Sequence, residues 1–332
     1  MAKYFTWIQH ITEAGLTRRL ERIAREKAQR TQKRTFKGEL LSWLDAIVFA
    51  VIFVLLINQY IFQLFMIPSP SMEDTLLIKD RVFVSKTSYG TELYPGGKKI
   101  FANRIPLRDD VIVFYNPEYE SKGPFFDVLS QIIYMGTFSL VNIDVDEDGN
   151  MRERLYVKRA AALSGDTVKF SQGEAYIAGA GQSTFTVDST FREENNLSSA
   201  PHRSLDASLY PGMQAYGALL ALQDKDLSSA APRHLIQSYQ KVSNYQGIVD
   251  FYEVQHAKQK TLHHIDPHNL LQRSASSRYE QGIYVPEGYV LPLGDNRDNS
   301  QDGRYFGPVS HDAVIGKVLY KFWPLNRIGR VL

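Results

Sequence analysis

A long apolar run near the N-terminus constrains this chain more than any other feature of its sequence. Residues 46–57 read AIVFAVIFVLLI, and the apolar character continues beyond Asn58 and Gln59. The twenty residues 46–65 are long enough, as a helix, to cross the roughly 30 Å hydrocarbon core of a bilayer. No polar stripe interrupts them, which disfavours the alternative of a buried helix in a soluble core. The sequence therefore predicts one transmembrane helix, which we place at residues 43–66.

Charge is distributed unevenly along the chain. Residues 1–39 carry ten Lys and Arg against four Asp and Glu, whereas the rest of the chain carries 28 against 32. Because Lys and Arg are enriched on the cytoplasmic side of membrane helices, we expect a cytoplasmic N-terminus and a body on the opposite side. The basic segment 1–42 is predicted to be helical, with residues 12–35 either on the inner leaflet or free in solvent. No small-residue cleavage site follows the apolar run, so a removable signal peptide fits badly.

Composition excludes several classes of chemistry and binding. The chain has no cysteine, which excludes thiol catalysis, cysteine-ligated zinc and iron–sulfur clusters. The net charge is only +2, which gives no strong electrostatic footprint for nucleic acid. Apolar residues make up 44% and charged residues 22%, so a folded globular body is expected rather than a disordered chain.

The chain beyond the apolar run is predicted to be mainly β. Its β-branched and aromatic runs, mostly bounded by Gly, Pro, Asn or Asp, are 80–86, 109–115, 154–158, 166–170, 282–285 and 315–320. Between them lies a stretch rich in Ser, Gln, Ala and His, with helices predicted at 211–224 and 232–245. We therefore predict an antiparallel β core from residues 67–172 and 281–332, with an inserted α/β subdomain at 173–280.

Two serines follow the apolar run directly. Pro70 favours an extended conformation for Ser69, and extended residues two apart project to the same side. Ser69 and Ser71 would then share one face close to the membrane. The alternative is that Ser71, with Asp74 three residues later, caps a helix.

A lysine lies within a predicted strand further along. In the run LYVKRAAALSGD, residues 155–166, Tyr156, Lys158 and Ala160 would share one face. If Lys158 is desolvated there, its pKa falls and its neutral amine can act as a base. The alternative is a solvated lysine on an exposed strand face.

A run dense in Asp and Asn, residues 294–304, reads GDNRDNSQDGR. It imitates the first half of a calcium-binding EF-hand loop, but the position that requires a bidentate Glu is Val309, so calcium is not expected. A second cluster is rich in histidine but lacks a zinc-binding spacing, and we interpret it as a solvated loop. Its members are His256, His263, His264, Asp266 and His268.

Together, these motifs resemble the ordered motifs of bacterial type I signal peptidases. The blocks that carry the resemblance are 68–72 (PSPSM), 108–114 (RDDVIVF), 156–159 (YVKR), 164–166 (SGD), 285–288 (VPEG) and 294–304. The resemblance implies a serine endopeptidase with a Ser/Lys dyad that removes signal peptides from exported preproteins. It implies the bacterial inner membrane as location, a body on the extracytoplasmic side, and preproteins and the lipid bilayer as partners. No cofactor, metal or nucleic acid is expected.

The resemblance also implies a role for each matching residue. Ser71 is the expected nucleophile, Lys158 the general base, Ser69 an oxyanion-hole donor with the Ser71 backbone N–H, and Ser300 the residue that orients Lys158. Further motif residues are expected to support the site structurally: Tyr156, Gly294, Asp295, Arg297, Asp302 and Arg304. A serine hydroxyl needs an adjacent base to attack at neutral pH, so this set is chemically coherent.

The sequence departs from the family pattern at four positions without losing an expected catalytic group. They are Pro70, Ala162, Ser164 and Gly303, and they put the local backbone shape in question. Two alternative functions fit the sequence less well. A self-cleaving repressor-type peptidase would need a DNA-binding domain where this chain has its apolar run. A membrane-tethered β-rich adhesion or assembly module would have no need of the serines and the lysine.

Overall fold

The structure, a computed structural model, describes residues 17, 19–25, 36–102, 104–136, 141–146, 149, 152–197 and 201–331. These residues belong to two compact units, 1–55 and 56–332. Of the predicted basic helix 12–35, residues 17 and 19–25 are helical, and the remainder lies outside the described residues.

The apolar run forms one long helix, α1 (Phe36–Tyr60). Its stretch Gly38–Tyr60 is long and apolar enough to cross a membrane and is not buried inside the protein. The helix predicted at 43–66 is corrected at both ends, since it begins at Phe36 and ends at Tyr60. It cannot continue to residue 66, because residues 62–66 form a strand that pairs over its whole length with residues 81–85. Phe62 stacks on Phe83 with ring centroids 4.4 Å apart, so the apolar character of this segment serves a sheet instead of a membrane helix.

Strands dominate the body around the serine and lysine motifs. Those of the described residues are β1 (Phe62–Met66), β2 (Arg81–Ser85), β3 (Thr91–Glu92), β4 (Lys99–Ile100), β5 (Val111–Tyr115), β6 (Leu155–Leu163), β7 (Thr167–Ser171), β8 (Glu174–Ala178), β9 (Thr186–Val187), β10 (Ile283–Tyr284), β11 (Tyr289–Leu293), β12 (Val309–Ser310), β13 (Val314–Trp323) and β14 (Gly329–Arg330). Each of the six predicted β runs overlaps one of these strands.

The main sheet is antiparallel and has eight strands. Its order is β1-β2-β13-β5-β6-β11-β12, with β14 paired to β13. β5 lies near its centre and reads VIVFY, a continuous apolar run typical of a strand that is buried on both faces. Val111 and Val113 pack in one core cluster with Met72, whereas Ile112 and Phe114 pack in another with Ala160.

A smaller four-stranded sheet has the order β10-β7-β8-β9. It crosses the predicted boundary at residue 173, because β7 and β8 form a hairpin on either side of that point. The chain between β9 and β10 is mainly helical. Its helices are α3 (Asp188–Glu194), α4 (Tyr210–Asp224), α5 (Arg233–Ser243), α6 (Phe251–Ile265) and α7 (Leu270–Gln281), while α2 (Pro124–Gly136) precedes β6 and α8 (Gly303–Phe306) follows β11.

The predicted fold class is confirmed: an antiparallel β body with an α/β insertion follows one N-terminal apolar helix. Helix is more abundant than the sequence suggested, since α2, α6 and α7 were not predicted. The loop predicted for the histidine-rich cluster is wrong for its first three histidines. His256, His263 and His264 lie on α6, where Asp250 caps the N-terminus by accepting hydrogen bonds from the Tyr252 and Glu253 amides.

Candidate active site

Ser71 lies in a tight turn directly after β1. Residues 70–72 form a single 3₁₀ turn. Ser69, which precedes this turn, is extended, with φ −129° and ψ 159°. The Ser69 side chain makes no capping hydrogen bond, and the Ser71 hydroxyl points to a lysine, so the helix-cap alternative is not realised. Asn296 donates its backbone N–H to the Ser71 carbonyl at 3.1 Å, which ties this turn to the Asp- and Asn-rich loop.

Lys158 reaches Ser71 from the sheet. It lies on β6, as predicted, and its Nζ is 2.6 Å from the Ser71 Oγ. Both side chains are buried, Lys158 to 4% exposure and Ser71 to 7%. Tyr156, two residues earlier on the same strand, places its ring 5.6 Å from the Lys158 Nζ. The two residues predicted as nucleophile and base are therefore in hydrogen-bond contact within a buried environment.

The surroundings of Lys158 lower the pKa of its ammonium to about 8, below the ordinary lysine value. The largest cause is burial, which disfavours the charged form. Asp302 and Glu153 oppose this by favouring the ammonium. Near neutral pH, a lysine of this kind has an appreciable neutral fraction that can accept a proton from a serine.

Ser69 lies beside the proposed nucleophile. Its Oγ is 3.3 Å from the Ser71 Oγ, and its side chain is half-buried. A hydroxyl at this position can donate to an oxygen that develops negative charge next to the Ser71 Oγ. This placement is compatible with the predicted oxyanion role, which stays a prediction.

Ser300 approaches the site from the Asp- and Asn-rich loop. Its hydroxyl is buried and has no hydrogen-bond partner among the residues that the structure describes. The predicted bond from Ser300 to Lys158 is therefore not formed here. A Cβ on Gly294 would meet the Ser300 Oγ at 2.2 Å and the Ser71 carbonyl oxygen at 2.6 Å. Only glycine fits between the loop and the serine turn.

Two buried ion pairs hold this loop in place. Asp302 accepts from the Arg304 Nε at 2.9 Å and from the Gly294 backbone N–H at 2.9 Å. Asp295 accepts two hydrogen bonds from Arg159, at 2.7 and 2.8 Å. Because β6 carries both Arg159 and Lys158, the second pair anchors the loop to the strand of the proposed base. The predicted structural roles of Asp295, Asp302 and Arg304 agree with these contacts.

Residues of the insertion also contact the Asp- and Asn-rich loop, and the sequence did not predict these contacts. Arg297 donates to Asp188 at 2.6 Å, and Asp188 begins α3. Asp298 accepts from Arg203 at 3.1 Å and from the backbone N–H groups of Ser204 and Leu205 at 2.6 and 2.9 Å. No spacing in the sequence relates these distant positions, so no local signal could have paired them.

A histidine adds a further link between the insertion and the serine turn. The His202 backbone N–H donates to the Asp295 carbonyl at 2.7 Å, and the Arg297 N–H donates to the His202 carbonyl at 3.2 Å. The His202 Nδ1 lies 2.9 Å from an Asp74 carboxylate oxygen. Residues 201–205 thus pack along the loop that contacts Ser71.

A cavity of about 690 Å³ opens onto Ser71 and Lys158. Apolar side chains that include Phe65, Ile67 and Tyr156 line part of it, and charged and polar side chains line the rest. Clefts of this size can enclose several residues of an extended peptide. The arrangement can therefore bring a peptide bond to a serine that has an adjacent buried base.

Comparisons with known proteins match most of the chain. A family model described as signal peptidase, peptidase S26, matches residues 40–323. Signal peptidase I of Haemophilus influenzae is 25% identical over 92% of this chain and 75% of its own length. Signal peptidase I of Aquifex aeolicus is 26% identical over 82% of this chain and 80% of its own. A probable signal peptidase I-2 of Synechocystis is 23% identical, with coverage of 93% and 84%.

Proposed function

The chain belongs to the signal peptidase family, peptidase S26, and from that premise we propose that it cleaves signal peptides with Ser71 as nucleophile and Lys158 as general base. The resemblance predicted from the sequence is confirmed. The protein is a membrane-anchored serine endopeptidase, and the non-catalytic adhesion or assembly module is not favoured. The observation that carries the residue assignment is the 2.6 Å contact between the Lys158 Nζ and the Ser71 Oγ.

The first half of the reaction forms an acyl-enzyme. Neutral Lys158 takes the Ser71 hydroxyl proton while the Ser71 Oγ attacks the scissile carbonyl carbon. The Ser69 hydroxyl and the Ser71 backbone N–H donate to the oxyanion of the tetrahedral intermediate. When the intermediate collapses, the C–N bond breaks and the Lys158 ammonium gives its proton to the leaving amine. That amine is the new N-terminus of the mature protein.

The second half of the reaction releases the signal peptide. Neutral Lys158 takes a proton from water, whose oxygen attacks the acyl carbon, and the same two donors hold the second oxyanion. Collapse breaks the ester bond, and Lys158 returns its proton to the Ser71 Oγ. Burial supports this cycle because it keeps a neutral amine accessible near physiological pH.

The proposal is tested by mapping the cleavage of a host preprotein in detergent. Intact-mass spectrometry should show wild-type protein releasing one signal peptide from one bond, whereas Ser71→Ala should leave the preprotein uncut. Ser243→Ala, which removes a serine on α5 whose hydroxyl bonds the Gln240 carbonyl, serves as the matched control and should cleave normally. Turnover by purified Ser71→Ala at a substantial fraction of the wild-type rate would refute the assignment.

We propose further that the N-terminus is cytoplasmic and that the body lies across the membrane, in contact with preproteins at the lipid surface. The excess of Lys and Arg in residues 1–39 supports this orientation. In sealed vesicles with the cytoplasmic side inward, added protease should digest the body and spare the N-terminal segment. Protection of the body in those vesicles would reverse the proposed orientation.

A further inference from the structure

Four cationic side chains line the cavity that contains Ser71, and three of them have partners. The four are Lys86, Arg152, Arg154 and Lys158. Arg152 lies 3.7 Å from Asp144, and Arg154 lies 3.5 Å from Asp127. Lys158 contacts the Ser71 Oγ. The side chain of Lys86 makes no hydrogen bond or ion pair with any residue in the described parts of the chain.

Lys86 is nevertheless buried, with 5% of its surface exposed. Its backbone N–H donates to the Ile61 carbonyl at 3.0 Å, which fixes the residue directly after β2. The nearby carboxylate of Glu92 accepts instead from the Tyr115 hydroxyl at 2.7 Å. Burial lowers the pKa of Lys86 to about 8, Glu92 raises it and Arg154 lowers it. A largely buried ammonium that no carboxylate contacts directly thus lines the cavity that contains Ser71.

The register of the main sheet gives the backbone spacing between Lys158 and the end of β2, next to Lys86. Lys158 pairs with Ile112, Ile112 with Lys317, and Lys317 with Ser85, the residue before Lys86. Three steps between strands of about 4.8 Å amount to about 14 Å. An extended peptide advances about 3.3 Å per residue, so this separation corresponds to about four substrate residues.

We propose that Lys86 is a substrate-recognition residue whose ammonium binds a carboxylate side chain of the preprotein, about four residues from the scissile bond. An ammonium has three donors and no acceptor, and a carboxylate satisfies both its hydrogen bonds and its charge. The peptide brings this partner when it enters the cleft. The inference rests on the proposed function and adds a determinant of substrate choice to it.

The test compares peptides that differ only by Asn or Asp at one position. A neutral parent peptide is changed at each position from the seventh residue before the scissile bond to the fourth after it. For wild-type protein, the ratio of kcat/KM for Asp over Asn should reach on the order of tenfold at one position, as expected for a hydrogen bond between charged groups. The same ratio in Lys86→Met should fall to about one, mainly through KM, and the Asp peptide should lose far more kcat/KM than the neutral parent peptide does.

Two further variants make the result specific. Lys86→Gln should abolish the Asp preference as Lys86→Met does, whereas Lys241→Met removes an exposed lysine on α5 and should retain it. Lys86→Met should unfold close to the wild-type temperature, because the Lys86 side chain makes no hydrogen bond or ion pair with the described residues. A structural role for Lys86 would instead lower the unfolding temperature and slow all peptides alike.

The inference is overturned if no position shows an Asp preference, or if the preference persists in Lys86→Met. It is also overturned if Lys86→Met slows every peptide equally, since this would indicate contact with the peptide backbone. These failures are distinct from failure of the proposed function. If the proposed function failed, the wild-type protein would not cleave the neutral parent peptide, or Ser71→Ala would cleave it.

Discussion

At the scale of single residues, burial accounts for the chemistry of the proposed dyad. A lysine in water is protonated near neutral pH and cannot accept a proton from serine, whereas burial of Lys158 lowers the pKa of its ammonium to about 8. In this buried position the Lys158 Nζ lies 2.6 Å from the Ser71 Oγ, within the reach of a general base. Arg159, the next residue on β6, is buried as well but stays charged because Asp295 accepts from it.

The position of Ser69 predicts a defect in kcat with little change in KM. Ser69→Ala keeps nucleophile and base and removes one oxyanion donor, so kcat should fall by on the order of 10²–10³. The hydrogen bond matters most when charge develops on the carbonyl oxygen, which is why KM should hardly change. Steady-state kinetics on a signal-peptide fragment measures both. A kcat close to wild type would show that another group fills the oxyanion hole.

At the scale of elements, the insertion stabilises the loop that contacts the serine turn. α3 supplies Asp188 to Arg297, and the segment before α4 supplies Arg203 and two backbone N–H groups to Asp298. Both acidic residues are buried. The chain around Gly294 therefore depends on partners that lie about a hundred residues earlier in the sequence.

Asp298 tests this dependence. Asp298→Asn removes the buried negative charge that Arg203 and two backbone N–H groups contact, and the free energy of unfolding should fall by about 1.5–3 kcal/mol, the contribution of a hydrogen bond to a charged group. Glu174→Gln is the matched control, because it removes the exposed carboxylate that contacts the same arginine and should cost at most about 1 kcal/mol. Urea unfolding measures both values. An equal loss of unfolding free energy in the two variants would contradict the idea that the insertion stabilises this loop.

The sequence predicted the strands and the Ser/Lys pair but not the contacts between distant elements. The six β runs have local signatures, and Ser71 and Lys158 lie in motifs that resemble a known family. Asp188, His202 and Arg203 lie in a polar stretch where nothing local distinguishes a buried partner from a solvated charge. The sequence prediction places β1 in the membrane helix, because a short apolar run has no periodicity that separates helix from strand.

At the scale of the whole molecule, one chain combines an apolar helix with a peptidase body. α1 ends at Tyr60, and Ser71 lies in the first turn after β1. A signal peptide is itself apolar and resides in the bilayer, so confining enzyme and substrate to one membrane raises their effective concentration. We therefore expect the helix to raise the rate on membrane substrates without taking part in the chemistry.

Truncation separates these two contributions. A chain that begins at Leu56 keeps the whole second compact unit and should cleave a soluble peptide about as fast as the full chain. Its rate on a preprotein in vesicles should fall by on the order of 10², the range of avidity effects. A chain that begins at Pro68 also loses β1 and should be less stable to urea. Equal losses on peptide and preprotein would argue against a purely tethering role.

The pH dependence of kcat/KM for a soluble peptide tests the central claim, that buried Lys158 is the general base, most directly. The neutral amine is the active form, so the rate should rise about tenfold per pH unit in acid and level off above a pKa of about 8. Lys158→Arg should stay at background at every pH, because guanidinium does not lose its proton. A flat wild-type profile, or a break near the histidine value of about 6.5, would contradict the account.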